Sequence, residues 1–533
     1  MITKIKFNKK KILSLGLVIV LTFSNVGGSV KDVYANKGEM QAAIDSLDTL
    51  EYLELVINQK KYDDSINQKL KRTFNLIDDN YDYFAELSNY GQEKDEYQKE
   101  IIDILNNSVD TFEIVPDGKG YKGQALVEQK KIEVTKDVSE QTISHEIRHM
   151  KGDFTKLNFG NYYFGLNLLF NEGRSLFHER FLNQNLEHNF LDYGIDNDNN
   201  IRIPNHHLVP HYTLYLNQYA SLYCMLGYNN MEKIENASDS SAFSILKESF
   251  DNIYSSEAFS DIMASTMMIN YYSKMISYSY SDIKIPSLVS KTKESLLQNR
   301  IEQSDLENKL NDSNLDILEL EKIKKQIIEL NIIRDILLSL EDKVQTYELD
   351  KDAKNMEELN QLIAKSLIMQ QQTVSHYLTD SLNSVSNNEE LYQFLDIYHL
   401  YRKMVLIDIK DNDNVYLSEL RLLIDDLEKN LINKIKEYGN IAELVASEGL
   451  KEVLPYIMIA CDVPDLNRVR YTQIDESNGF QTDELLVVVY SDTSGYSNIV
   501  KMDNEIKGHI MSKEEIRKFT YEQIKIRSKN KSI

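Results

Sequence analysis

His145-Glu146-Ile147-Arg148-His149 sets two histidines four positions apart around a carboxylate. On a helix, positions i and i+4 share one face, so both imidazoles aim at a single zinc ion. Glu146 follows the first histidine directly, where a carboxylate reaches a zinc-activated water as general base without binding the metal itself. The pattern reads as hydrolysis. The plainer reading is a surface helix with solvated histidines, because a chain of 533 residues with ten histidines generates such a motif by chance at a finite rate.

Catalytic zinc takes three protein ligands and keeps a fourth position for water, so two histidines require a partner from elsewhere in the fold. Glu172 is the best candidate. It lies 23 residues after His149, enough chain to leave the first helix, turn through a glycine-rich segment at 152–165 and return on a second helix.

With Asn171-Glu172-Gly173 placed after the His-Glu-x-x-His segment, the sequence resembles the gluzincin zinc metallopeptidases, which pair that helix with a glutamate on the next one. Tyr215-Leu216-Asn217-Gln218-Tyr219-Ala220-Ser221-Leu222-Tyr223, followed by Leu226-Gly227-Tyr228, looks like the tyrosine-led helix that follows the metal site in the M1-like, or peptidase MA-like, branch. The resemblance covers roughly residues 120–280. It implies that His145, His149 and Glu172 bind one zinc, that Glu146 is the base, and that Tyr215 or Tyr219 steadies the oxyanion. The chain departs from the pattern in three places. The spacing from His149 to Glu172 is a few residues longer than in the M1 aminopeptidases. No Gly-x-Met-Glu-Asn segment precedes the zinc helix, which favours an endopeptidase over an aminopeptidase. Leu176 stands where the thermolysin pattern has an aspartate, so the partners behind the ligands are left to Asp153 and Glu179.

Each of these residues also has a plainer reading. Glu172 suits a carboxylate at a helix start. Tyr215 and Tyr219 suit a core stripe in a chain with 33 tyrosines. His178 beside Glu179, and the cluster His206, His207 and His211, are alternative imidazoles for the oxyanion, but the cluster also fits an exposed loop between Pro204 and Pro210.

Composition narrows the class. A formal charge of −24 repels nucleic acid and disfavours anionic lipid surfaces. The N-terminus has the parts of a secretory signal: five lysines within residues 4–11, an apolar run over residues 12–23, and Val33-Tyr34-Ala35, with cleavage expected after Ala35. The run is too short to span a bilayer, and no later segment replaces it. Neither Cys224 nor Cys461 sits at that site to take a lipid, and two cysteines make no disulfide framework; Cys224 reads as a buried small hydrophobe. A soluble secreted protein with a peptide or protein substrate is expected, with no stable membrane insertion.

Residues 36–115 form a helical N-terminal region, in which 38–107 read as amphipathic helices, with Leu50, Leu53, Leu55 and Val56 on one and Ile101, Ile102 and Leu105 on another. A turn-rich break at 116–123 leads to two short strands, 124–127 and 131–134, and the zinc helix starts at Thr142 or Ser144. A strand feeding such a helix offers an edge for an extended peptide. Residues 116–285 form the expected zincin-like catalytic domain. Residues 286–450 form a long-helix region. Neither glycine nor proline occurs from Ser287 to Tyr438, and Leu296, Leu297, Ile301, Leu306, Leu310, then Leu315, Leu318, Ile323, Ile327 and Leu330 recur at helical spacing. The break at 311–314, with a capping box from Ser313 to Asp316, makes an antiparallel hairpin. Residues 451–533 read as a small C-terminal region in which 469–474 pairs with a buried strand at 485–490, followed by a helix capped by Ser512 and Glu515. The expected fold is mainly α, with a small α+β zincin-like core, a long helical hairpin and a small C-terminal α/β region. The competing functional reading is a catalytically inactive secreted helical interaction or toxin-associated protein built on a peptidase scaffold.

Overall fold

The computed structural model describes residues 48–88, 90–117, 121–151, 169–181, 194–195, 201–202, 210–237, 242–278, 287–311, 316–347, 349, 356–406, 415–439, 456, 469–474, 485–491, 497–502 and 508–530. The signal segment, the glycine-rich stretch, Asp153, His206, His207, Ser313 and Cys461 lie outside them. The described chain is mainly helical, as its periodicity predicts. It divides into two units, one within Met1–Lys156 and Asn167–Glu187, the other within Leu157–Leu166 and His188–Ile533.

The first unit opens with helices α1 (Thr49–Lys60), α2 (Asp64–Ser88) and α3 (Lys94–Ser108). Helix α1 starts at a complete capping box, Asp48 with Glu51. It buries Tyr52, Leu53, Val56 and Ile57, while Leu50 stays exposed at the end of the apolar stripe. Ile101, Ile102 and Leu105 of α3 are fully buried.

Three strands follow: β1 (Thr111–Val115), β2 (Gly123–Leu126) and β3 (Lys131–Thr135). They form a mixed sheet in the order β1-β3-β2, with β1 parallel and β2 antiparallel to β3. Central β3 is buried on both sides, whereas β2 is an outer strand. The turn-rich stretch from Pro116 joins β1 to β2 inside this unit.

Helix α4 (Glu140–His149) carries the His-Glu-x-x-His residues. It begins earlier than Thr142 or Ser144, because Ser139 serves as N-cap and accepts the Thr142 backbone N–H at 3.2 Å. Ile143 and Ile147 anchor the helix in the core against α2, α3, β2 and β3. A five-residue π turn (Leu169–Gly173) then runs straight into α5 (Arg174–Phe181), which packs along α4.

In the second unit, β4 (Gly194–Ile195) and β5 (Ile201–Arg202) pair ahead of helix α6 (Pro210–Glu235). Gly227 interrupts α6 with φ 72°, a left-handed backbone that suits glycine. Helices α7 (Ala242–Ile253), α8 (Ser256–Tyr278) and α12 (Asn388–Met404) pack on α6. Cys224 is buried there with its sulfur 3.7 Å from that of Met404, as a small hydrophobe.

Helices α9 (Leu288–Leu310) and α10 (Ile317–Thr346) pack side by side with a short connection, giving the expected antiparallel hairpin. Buried Asn299 of α9 donates to the Leu330 carbonyl of α10 at 2.9 Å. Two details differ from expectation. Asp316 is itself the N-cap, accepting the Glu319 N–H at 2.8 Å, so it does not complete a box begun at Ser313. Leu296, Ile323 and Leu330 are buried, but Leu297, Ile301 and Leu318 are exposed, because each helix turns only part of its apolar stripe to its neighbours.

Helices α11 (Met356–Ser384) and α13 (Val415–Tyr438) pack together, and α11 also lies along α8. The chain ends in an antiparallel sheet ordered β6 (Val469–Ile474), β7 (Leu485–Ser491), β8 (Ser497–Met502) and β9 (Gly508–Ile510). The expected 469–474 pairing is present, with Val469 opposite Ser491. Helix α14 (Lys513–Asn530) starts at the expected Ser512/Glu515 box.

Candidate metal centre

Helical spacing turns both imidazoles of α4 the same way, and their Nε2 atoms lie 2.9 Å apart. Glu172, at the end of the π turn, brings Oε2 to 3.5 Å from each of them. Among the described residues these three side chains form the one group of His, Cys, Asp or Glu able to share a metal ion. Ligands at about 2.0–2.1 Å around a tetrahedral zinc stand roughly 3.3 Å from one another, and the observed separations bracket that figure. Two imidazoles and a carboxylate are also a donor set that zinc accepts, so the residues fit the ion.

The π turn and α5 supply more than the third donor. Glu172, Ser175 and Glu179 fall at i, i+3 and i+7, one face of the segment. Ser175 Oγ is 3.4 Å from Nδ1 of His149, and Glu179 Oε2 is 3.0 Å from Nδ1 of His145. Each histidine therefore has a polar group behind it, a hydroxyl for His149 and a carboxylate for His145, and a carboxylate there electrostatically favours a proton on Nδ1 of His145. Glu179 is one of the two partners anticipated from sequence. Ser175 was not anticipated, although its spacing from Glu172 was visible. We expect Glu179→Gln to weaken zinc affinity about 10–100-fold with the fold intact, checked by chelator competition; an unchanged affinity would deny Glu179 an orienting role.

Glu146 is buried beside this trio, close to the start of β2 at Gly123. Burial raises its pKa, with His145 and His149 opposing in part. Burial disfavours a charged His145, but Glu172 and Glu179 outweigh it and hold its pKa well above the ordinary value. For Glu172 burial likewise works against the charge, and His145 and His149 outweigh it to hold the carboxyl far below the usual range. The cluster is thus a charge-coupled set before any metal enters.

A second network fixes α4 from behind. Arg174, the first residue of α5, donates from Nη2 to the Arg148 carbonyl at 2.9 Å. That bond satisfies a carbonyl at the C-terminal end of α4 and ties together the segments that carry the histidines and Glu172. The buried Arg148 side chain lies over the Tyr97 ring at 4.4 Å and pairs with Glu100 at 3.2 Å, where Lys151 joins it at 2.8 Å. Although burial opposes its charge, Arg148 and Lys151 pull the Glu100 pKa down to about 2. A folded pKa below the ordinary value of 4.5 means stability that is complete above pH 4.5 and lost as pH falls toward about 2. At roughly 1.4 kcal/mol per pKa unit, Glu100→Gln should cost about 3 kcal/mol at neutral pH. Urea unfolding should show that deficit shrinking below pH 4.5; a deficit independent of pH would break the argument.

His178 belongs to this core and not to a solvated site. Its Nδ1 lies 3.1 Å from Tyr97 Oη among Phe84 and Tyr90, and burial, reinforced by Arg148, Lys151 and Arg174, keeps its pKa well below the ordinary value. Tyr215 and Tyr219 are buried on α6 in the second unit, where the Tyr219 hydroxyl donates to Glu235. Searches against protein-family models, curated proteins and solved structures return no match.

Proposed function

We propose that this chain is a secreted zinc-dependent metallopeptidase of the gluzincin type, cleaving peptide bonds within a protein or peptide substrate. The observation that carries the reading is the convergence of His145 Nε2, His149 Nε2 and Glu172 Oε2, with the buried Glu146 carboxylate alongside. His145, His149 and Glu172 would hold the ion, which when bound polarises a carbonyl and lowers the pKa of water. Glu146 does the proton work: its carboxylate takes a proton from the attacking water and passes it to the leaving amine. Burial favours the protonated intermediate state of that carboxyl. No covalent intermediate with the protein is involved. Strand β2, which passes Glu146 at Gly123, is an outer strand, which supports an extended substrate lying along it.

The test is metal content by elemental mass spectrometry on wild type, His149→Ala and Glu172→Ala. We expect one zinc per wild-type chain and at least a large loss in both variants. Wild type that stays metal-free after zinc is supplied would overturn the reading and favour the inactive interaction protein.

A further inference from the structure

The second unit contains a cleft of about 480 Å³ among α8, α10, α11 and α13, within the size range of small-molecule sites. Among its lining residues is Lys343 of α10, with a side chain only 13% exposed. An ammonium group has three protons to donate, and burial makes each unmade bond expensive. The acceptors that Lys343 has among the described residues are distant: Thr373 Oγ1 at 3.4 Å and Asp261 Oδ2 at 3.8 Å. Asp261 is already engaged, taking Ser339 at 2.5 Å on one oxygen and Tyr377 at 2.7 Å on the other. Consistently, burial lowers the Lys343 pKa despite Asp261 and Asp342 nearby. The fold thus holds a poorly compensated, largely buried cation in the lining of a cleft.

The α13 wall has a different character. Glu419, Leu422, Leu423 and Asp426 fall at i, i+3, i+4 and i+7, so one face of α13 lines the cleft with an acid at each end and two leucines between. Leu422 is 65% exposed. Glu419 is steadied by Gln372 Nε2 at 3.4 Å, and Gln372 in turn accepts from Tyr347 at 2.7 Å. Two carboxylates on the wall argue against a phosphate or other polyanion, while Lys343 calls for a single carboxylate. A ligand satisfying both charges and the leucines is a zwitterion with an apolar side chain.

We propose that this cleft binds a free apolar α-amino acid, with its carboxylate on Lys343, its ammonium toward Glu419 and Asp426, and its side chain on Leu422 and Leu423. The site is separate from the metal cluster and does not rest on the peptidase reading.

Isothermal titration of the full chain with L-leucine tests the proposal. Saturable binding at one site is expected, weakened roughly tenfold or more in leucinamide, which lacks the carboxylate, and in N-acetyl-leucine, which lacks the ammonium. Lys343→Met should abolish binding, with its thermal unfolding followed to establish that it folds; the two ligand analogues make the same test on wild type. Absence of saturable binding up to about 10 mM, or equal binding of leucine and leucinamide, would overturn the site.

Discussion

Glu146→Gln is expected to abolish peptide hydrolysis while leaving one zinc per chain. Glutamine keeps the size and shape of the side chain, but has no carboxylate to take a proton. The three side chains proposed to hold the ion are His145, His149 and Glu172, none of which the change touches. Loss of a general base typically costs about 10²–10⁴-fold, and more where the same group also delivers the proton to the leaving amine. The fall should appear in kcat, since the substitution removes an interaction made in the transition state and leaves substrate binding alone. Zinc analysis separates the outcomes. Activity near wild type would remove Glu146 from the chemistry, and loss of zinc together with activity would make it part of the metal cage.

The central part of the site was legible because helix periodicity is stiff. A spacing of four positions from His145 to His149 leaves their imidazoles little choice of direction, and the Nε2 separation of 2.9 Å follows from that spacing. Glu172 was reachable through chemistry: two ligands demand a third, and the chain between them is long enough to return. Its seat on a π turn was not legible, since such turns answer to packing and carry no residue signature. Ser175 was missed for a different reason. The position four residues after Glu172 holds Leu176, and the hydroxyl that stands near His149 comes instead from the position three residues after it on the same face.

The network of Arg148, Arg174 and Glu100 shows what a linear pattern hides. Arg148 is one of the two interchangeable-looking positions inside the motif, and charged residues are ordinarily read as solvent-facing. Its burial depends on Glu100 and Tyr97, more than forty positions earlier and brought near by the packing of α3 on α4. Long-range charge pairs of this kind leave no local trace. The hairpin illustrates the opposite limit: its helices and their antiparallel order were plain from Leu/Ile spacing and the absence of glycine and proline, yet the same spacing did not tell Leu296, which is buried, from Leu297 and Ile301, which are exposed.

Gly123→Ala should depress turnover at least about 100-fold without reducing zinc content, the scale expected when a catalytic group is moved by about 1 Å. Gly123 opens β2, the outer strand, where it runs past α4. A methyl group there would stand 2.8 Å from both Cγ and Oε1 of Glu146 and 2.9 Å from Cγ2 of Thr142. Contacts that short are repulsive, and the strand has little room to retreat, because Gly123 pairs with Val134 on the buried central strand β3. Glu146, a longer side chain with rotatable bonds, is the partner that gives way. Displacing it moves the base while His145, His149 and Glu172 keep their positions, so the variant separates the position of the carboxylate from its presence. A purified Gly123→Ala chain with full zinc and a wild-type kcat would mean that β2 relaxes at little cost, and that the close approach of strand to helix sets packing alone. Full zinc with a collapsed kcat would show that the missing side chain at Gly123 is what lets the outer strand and the base share the same few ångströms.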